Sequence, residues 1–186
     1  MRYNTIREMD VSNGPGIGVS IFTQGCDRHC PGCFNPETWP FDEGKEFTCK
    51  ELYDLTALLR RPYITRLSIL GGEPLLPQNY QDISDTIHIA RGVGHPVTVW
   101  VWTGRTFEDV YKEVCETKNE NLAYILDNAD YLVDGPFIQE ERDVSLRFCG
   151  SRNQRVLDLA RSMDEGKAVL SKYDWRDSLG LKSDDV

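Results

Sequence analysis

The sequence predicts an α/β protein whose parallel strands form a partial, laterally open (β/α) barrel. Strand-like runs at residues 19–23, 66–70, 97–102 and 131–133 alternate with helical patterns, as in βα units. Each run ends at a loop rich in glycine, cysteine or both. A chain of 186 residues is short for the eight units of a closed barrel, so we expect the sheet to stay open on one side.

The first predicted unit begins with residues 19–23, where apolar and polar side chains alternate as in a half-buried strand. Thr48 and Glu51 then form a capping-box pattern ahead of leucines at helical spacing, and Pro62 ends that helix. Residues 1–16 end in the turn sequence Asn-Gly-Pro-Gly and receive no strand assignment.

The later units repeat this pattern. A helix precedes residues 97–102, a strand dense in β-branched and aromatic side chains. A second helix begins at Thr106, and a short helical pattern covers residues 122–126. Residues 156–157 are a weak candidate for a fifth strand.

Composition and charge restrict the class of protein. The net charge of −9 disfavours nucleic-acid binding, because phosphate backbones are also negative. The sequence shows neither a secretory signal pattern nor an apolar run of membrane-span length. We therefore expect a cytoplasmic protein without a membrane partner, in a reducing compartment where clustered cysteines bind metal more often than they form disulfides.

Three cysteines, Cys26, Cys30 and Cys33, lie within eight residues directly after the first strand. Thiolates are soft ligands that favour zinc, copper(I) or iron–sulfur clusters. An ordinary cubane uses four cysteines, so three would leave one iron open to a cofactor or substrate. The alternative is a tetrahedral zinc site completed by His29 or Cys49.

Polar or glycine-bearing loops follow the next three strands. Residues 71–74 read Gly-Gly-Glu-Pro, in which two residues without Cβ expose backbone amides and carbonyls, although alone this is an ordinary βα turn. Thr103 and Asp134 end the following two strands; the simpler interpretations are a helix cap and a turn residue. Since the carboxyl ends of parallel strands meet at one edge, we expect all four loops to share that edge.

The C-x3-C-x2-C spacing and Gly-Gly-Glu-Pro together resemble the radical S-adenosylmethionine (radical SAM) superfamily. More closely, residues 1–160 resemble the family of activating proteins of the anaerobic ribonucleoside-triphosphate reductase, which are glycyl-radical activating enzymes. The motifs that carry this resemblance, in chain order, are Asn13-Gly-Pro-Gly16, Gly25-Cys26, Cys30-x-Gly-Cys-Phe-Asn35, Thr38-Trp39, Pro77-Gln-Asn79, Trp100-x-Trp-Thr-Gly104, Asp134-Gly135 and Gly150-Ser-x-Asn-Gln154. The resemblance implies a radical SAM domain over residues 1–160, with residues 161–186 as a C-terminal extension of unassigned role.

The resemblance also implies cofactors, partners and a reaction. A 4Fe–4S cluster would be held by Cys26, Cys30 and Cys33, with SAM on the fourth iron. Reductive cleavage of SAM would give methionine and a 5′-deoxyadenosyl radical, which abstracts hydrogen from a glycine of the large reductase subunit and leaves a glycyl radical there. The electron donor would be a reduced flavodoxin- or ferredoxin-like protein. No catalytic side chain beyond the cluster and SAM is implied.

By position, the same resemblance assigns cofactor contacts to three parts of the chain. The cysteine loop would contact the cluster and the adenine end of SAM. The Gly-Gly-Glu turn would contact the methionine end of SAM, and the ends of two later strands would make polar contacts to SAM. The residues so assigned are Gly32, Cys33, Phe34, Gly71, Gly72, Glu73, Thr103 and Asp134. Asn153 and Gln154 are assigned to SAM or to the partner without a choice between them. Trp100 and Trp102 are expected to pack in the core.

The sequence departs from the family pattern at three positions. Gly18 and Cys149 stand where related activators often have arginine, and Phe34 stands where they often have tyrosine. The isolated cysteines Cys49, Cys115 and Cys149 are expected to pack as small apolar side chains.

Two other functions remain compatible with these residues. The first is a radical SAM enzyme that acts on another protein or on a small molecule; a small-molecule enzyme would close the mouth of its barrel. The second is a non-catalytic iron–sulfur electron carrier or zinc-binding module, which has four protein ligands and no use for Gly-Gly-Glu-Pro.

Overall fold

The computed structural model describes residues 1–180 and contains a seven-stranded sheet and five α-helices. The strands are β1 (Arg2–Asp10), β2 (Gly18–Thr23), β3 (Lys45–Glu46), β4 (Arg66–Gly71), β5 (Thr98–Trp102), β6 (Tyr131–Asp134) and β7 (Arg155–Asp158). The helices are α1 (Cys49–Leu59), α2 (Tyr80–Arg91), α3 (Phe107–Thr117), α4 (Glu120–Asn128) and α5 (Leu159–Glu165). The mixed α/β class is confirmed. None of the described helices is both long and apolar enough to cross a membrane.

The sheet has the strand order β3-β1-β2-β4-β5-β6-β7. The four central strands β2, β4, β5 and β6 are parallel, and β1, β3 and β7 pair antiparallel at the two sides. The carboxyl ends of the four parallel strands therefore lie along one edge, which confirms the predicted common edge for the four loops. Whether the sheet curves into a laterally open barrel stays a prediction.

One face of the sheet is covered by the helices. Successive side chains of a strand point to opposite faces, and alternate residues of β2, β4 and β5 join a single apolar core with the helices. The strand residues of that core are Val19, Ile21, Leu67, Ile69, Val99, Val101, Leu132 and Leu157. The helices contribute apolar side chains at the spacing expected for one buried helical face.

The opposite face is covered by loops. Trp100 on this face packs against Trp102, Phe148 and Tyr173, with ring centroids 5.1–5.7 Å apart. The two tryptophans thus pack as expected, in a second apolar cluster separate from the helical core. Phe22 and Leu70 belong to the same face but line a cavity instead.

The helix starts agree with the sequence. Thr48 is the N-cap of α1 with a complete capping box, and the Thr106 hydroxyl accepts a hydrogen bond from the backbone N–H of Asp109 at the start of α3. Strand β1 was not predicted. Its side chains include only two buried ones, Tyr3 and Asp10, so no apolar alternation marks it.

The C-terminal residues cover strand β7. Helix α5 runs through the predicted domain boundary at residue 160. The chain then returns along β7, where Asp158 N donates to Val169 O (2.9 Å) and Ser171 N donates to Val156 O (2.8 Å). The division at residue 160 stays a prediction, and residues 181–186 of the predicted extension lie outside the described residues.

Candidate metal and cofactor site

The loop after β2 folds back on itself and brings the three cysteines together at one cavity. Gly25 N donates to Thr38 O (2.8 Å) and Cys26 N donates to Trp39 O (3.1 Å), which closes the loop. Gly25 has a φ of +98°, and a Cβ there would lie 2.6 Å from the Phe41 ring. Cys26, Cys30 and Cys33 all line a cavity of about 510 Å³ at the carboxyl edge of the sheet.

The environment of the cysteines suits an iron–sulfur cluster. Burial and the nearby Glu73 charge raise the pKa of the Cys26 thiol, while the backbone N–H groups of Arg28 and His29 hydrogen-bond to its sulfur and lower it. Asn35 N donates to Cys33 Sγ (3.4 Å). Backbone N–H groups directed at the ligand sulfurs are among the factors that set the potential of such clusters. The donor set therefore fits a cluster held by three thiolates.

Neither His29 nor Cys49, the two residues predicted to complete a zinc site, lines the cavity. Cys49 is exposed at the start of α1 and does not line the cavity, and the His29 ring packs edge-on against Trp39 at 4.9 Å. Across residues 1–180, no three His, Cys, Asp or Glu side chains are grouped closely enough to hold a single metal ion. A cubane has no such requirement, because each cysteine binds a different iron atom.

The Gly-Gly-Glu turn packs backbone to backbone against the cysteine loop. Gly71 has a φ of +109°, and a Cβ there would lie 2.7 Å from Thr23 N; a Cβ on Gly72 would collide with Gly25 O. Glu73 N donates to Gly25 O (2.9 Å). Both glycines line the cavity, so the Gly-Gly-Glu turn and the cysteine loop form adjacent parts of its wall.

Glu73 and Thr103 also line the cavity, but protein groups occupy their polar atoms. The Glu73 carboxylate accepts from Leu75 N (2.9 Å), the Thr103 hydroxyl (2.7 Å) and Gly104 N (2.8 Å). The same Thr103 hydroxyl accepts from Arg105 N (3.1 Å). These two residues tie loops together across the strand ends.

Two residues assigned by the resemblance do not line the cavity. The Asp134 carboxylate is buried and accepts from Phe107 N (2.8 Å) and Arg155 Nε (3.0 Å), so it holds the start of α3. The hydrogen bonds to Asp134 raise the pKa of the Arg155 guanidinium. Gly32, at a φ of +72°, packs against the side chain of Gln139 instead.

Phe34 lies on the cavity wall and is 54% exposed. Its ring meets Phe137 edge-on at 5.1 Å, and the Arg142 guanidinium lies 5.3 Å above it. A Cβ on Gly150 would lie 2.7 Å from the Phe34 ring. The cysteine loop and residues 136–150 therefore form a shared aromatic wall.

Asn153 and Gln154 differ in position. Gln154 lines the cavity, but its amide accepts from Gly150 N (2.8 Å) and donates to Gly135 O (3.0 Å). Asn153 lies away from the cavity and donates to Pro136 O (2.7 Å). Both shape the loop that carries the aromatic wall.

The other cysteines divide into two kinds. Cys149 lines the cavity beside Trp102 and Phe148, and burial raises its pKa to about 12, so its packing is confirmed. Cys49 and Cys115 are exposed, so the expectation that they pack as small apolar side chains was wrong. Each lies on a helix at a position that does not face the core.

Several residues of the cavity wall were not predicted. They belong to loops without periodicity, or to β1, and nothing in their spacing marks them. They include Arg7, Ser12, Arg28, Phe137, Asp143, Val144, Leu146 and Phe148. The guanidinium of Arg7 lies 4.4 Å from the centre of the Phe22 ring, on the cavity side of the sheet.

The absence of arginine at position 18 has a structural explanation. Gly18 pairs in register with Arg66, and a Cβ on Gly18 would lie 2.6 Å from Arg66 Nε. The buried Arg66 guanidinium donates to the carbonyls of Asp10 (2.7 Å) and Gly14. A cation from the neighbouring strand thus occupies the space beside Gly18 and fixes the loop before β2.

Comparison with known proteins gives a consistent result. A family described as "4Fe-4S single cluster domain" matches residues 12–157. The anaerobic ribonucleoside-triphosphate reductase-activating protein of Salmonella typhimurium is 36% identical over 159 residues, covering 84% of this chain and 97% of that protein. The proteins of the same name from Escherichia coli and Vibrio cholerae are each 35% identical over 158 residues, with the same coverage. The chain therefore belongs to the family of anaerobic ribonucleoside-triphosphate reductase-activating proteins.

Proposed function

We propose that this chain is a radical SAM activase that generates the glycyl radical of an anaerobic ribonucleoside-triphosphate reductase. The observation that carries the proposal is the shared cavity: three cysteine thiols and the Gly71–Gly72 turn line one wall at the strand ends. The names of the relatives supply the target enzyme.

The chain's own residues have distinct tasks in this proposal. Cys26, Cys30 and Cys33 would hold a 4Fe–4S cluster, and the backbone of Gly71 and Gly72 would receive SAM. When bound, these two groups supply a 5′-deoxyadenosyl radical that takes hydrogen from a glycine of the large reductase subunit. The protein orients its ligands and excludes water from them.

Apolar side chains form much of the cavity wall and support the exclusion of water. They come from the open face of the sheet and from residues 136–150. The set is Phe22, Leu70, Trp102, Phe137, Leu146 and Phe148. A reactive radical is protected from side reactions in such a dry site.

An open rim suits a substrate that is itself a protein segment. Phe34 and Val144, 54% and 82% exposed, stand at the cavity wall and leave apolar surface available to a partner. We propose that the sheet is the wall of a laterally open barrel that admits the glycine-bearing loop of the large subunit. The electron would come from a reduced flavodoxin- or ferredoxin-like donor in the cytoplasm.

One observation favours a second candidate, the non-catalytic electron carrier. Cys149 lines the same cavity as the other three cysteines and is therefore a candidate fourth ligand. A four-cysteine cluster would have no open iron for SAM.

An anaerobic experiment separates the candidates. SAM is added to the reconstituted, reduced protein, and the EPR spectrum is expected to change because one iron is open. An unchanged spectrum would favour the carrier. The large reductase subunit is then added, and we expect a glycyl-radical doublet. Methionine release without a doublet would contradict the proposed partner enzyme but would still support the cleavage of SAM.

A further inference from the structure

The carboxylate of Glu73 is buried where three loops of the cavity meet. The residue is 1% exposed, and its carboxylate accepts three hydrogen bonds and forms one ion pair. Leu75 N and the Thr103 hydroxyl donate to Oε1, Gly104 N donates to Oε2, and Arg28 Nε lies 3.3 Å from Oε2. These groups belong to the turn that carries Glu73, to the loop after β5 and to the cysteine loop.

Three hydrogen-bond donors and one cation engage the carboxylate. An ionised carboxylate has two oxygens with about four lone-pair sites in total. Three of these sites accept hydrogen bonds from the protein, and the Arg28 guanidinium forms an ion pair at Oε2, so protein groups already engage both oxygens. The position of Glu73 in the cavity wall therefore does not make it a ligand contact.

Arg28 is the connection to the cysteine loop. Arg28 lies between Cys26 and Cys30 in the sequence. Its side chain is 31% exposed and forms an ion pair with Glu73. A Cβ on Gly104 would collide with Arg28 Cδ, so the absence of a side chain at Gly104 lets the arginine pass. Among the described residues, Arg28 is the cation paired with Glu73.

We infer that Glu73 is a positioning residue, and that its ion pair with Arg28 fixes the spacing between the cysteine loop and the Gly71–Gly72 turn. The inference rests on the proposed function for the identity of the ligands that this spacing serves. A buried carboxylate that loses its counterion is strongly destabilised, so the pair holds the two loops in one arrangement. Spacing matters because small displacements of bound groups reduce reactivity steeply.

The test uses the reconstituted protein and four variants: Arg28→Ala, Arg28→Lys, Glu73→Gln and the double variant Arg28→Ala/Glu73→Gln. Iron content, SAM affinity from the EPR change, and backbone hydrogen exchange of residues 24–33 and 71–75 are measured. Arg61→Ala is the matched control, because Arg61 forms an exposed ion pair with Glu8 and neither residue lines the cavity.

We expect Arg28→Ala to retain iron, to weaken SAM binding about tenfold and to speed exchange in both segments. Arg28→Lys should recover part of the loss. The double variant should be no weaker than the worse single variant, because both changes break the same pair. Should Arg28→Ala fail to retain iron, exchange in the metal-free protein still decides whether the pair couples the two segments.

The opposite result would overturn the inference. If Glu73→Gln weakens SAM binding while Arg28→Ala leaves both SAM affinity and exchange unchanged, Glu73 contacts the ligand directly. If even the unaltered protein does not bind SAM, yet exchange shows the coupling, the proposed function fails and the positioning role stands.

Discussion

The two faces of the sheet use the same strands for different purposes. Ile21 and Ile69 point into the helical core and are fully buried, whereas their neighbours Phe22 and Leu70 line the cavity. The helical face is continuous and apolar, and the burial of its apolar side chains stabilises the fold. The cavity face is covered by loops tied together through hydrogen bonds and ion pairs. Along β2 and β4, therefore, residues that pack in the helical core alternate with residues that line the cavity.

The largest expected effect of a single change is on the cavity face. Cys30→Ala should abolish cluster assembly and the glycyl-radical signal, because two thiolates cannot replace three. Iron analysis and EPR spectroscopy measure both. Cys149→Ala is the matched control and should keep both; iron loss in that variant would show that the cluster has a fourth cysteine ligand.

The complementary change is on the helical face. Ile69→Ala removes a fully buried side chain and should lower the free energy of unfolding by about 4 kcal/mol. Denaturant titration of the metal-free protein measures this loss. The EPR spectrum of the reconstituted variant should be unchanged; an altered spectrum would mean that the two faces are not separable.

Asp134 tests where the boundary between the faces lies. It ends a strand at the cavity edge, yet its carboxylate holds the start of α3 and Arg155. Asp134→Ala should therefore cost about 3 kcal/mol of stability, through the loss of a buried ion pair, without changing SAM affinity.

The control for this change is Asp54→Ala, which breaks an exposed ion pair on α1 and should have little effect on stability. Weaker SAM binding by the Asp134→Ala variant at unchanged stability would show that Asp134 contacts the ligand.

The smallest effect concerns thiol reactivity. Burial raises the pKa of Cys149 to about 12, so at pH 8 about one part in ten thousand is thiolate, the reactive form. Alkylation of the metal-free protein, followed by mass spectrometry, should modify the exposed Cys115 before Cys149. The rate at Cys149 should rise about tenfold per pH unit up to that pKa; a plateau near neutral pH would contradict the assignment.

The sequence predicts the parts of this fold that depend on local pattern. The four parallel strands and the helix that begins near Thr106 follow from periodicity, and the cap at Thr48 follows from the capping-box pattern. Strand β1 was missed because it is held by pairing with β2 and not by an apolar stripe.

The site could be predicted less completely. The cysteine loop is recognisable from its spacing, and the Gly-Gly turn from its resemblance to a known motif. The roles of Glu73 and Asp134 depend on which loop or helix each side chain meets, and that is decided by tertiary packing. A residue at the end of a strand can serve either the cavity or a helix, and the sequence pattern is the same for both.

The returning C-terminal segment has a consequence for self-association. Unpaired strand edges attract other chains, and proteins commonly shorten or cover them. At one side the sheet ends in the two-residue strand β3, and at the other the backbone of β7 binds Val169 and Ser171. Strand β3 pairs only with Arg2 and Tyr3 of the nine-residue β1, so among the described strands the rest of β1 has no partner on its outer edge. The sheet is therefore covered against strand addition at β7 and more open to it along β1.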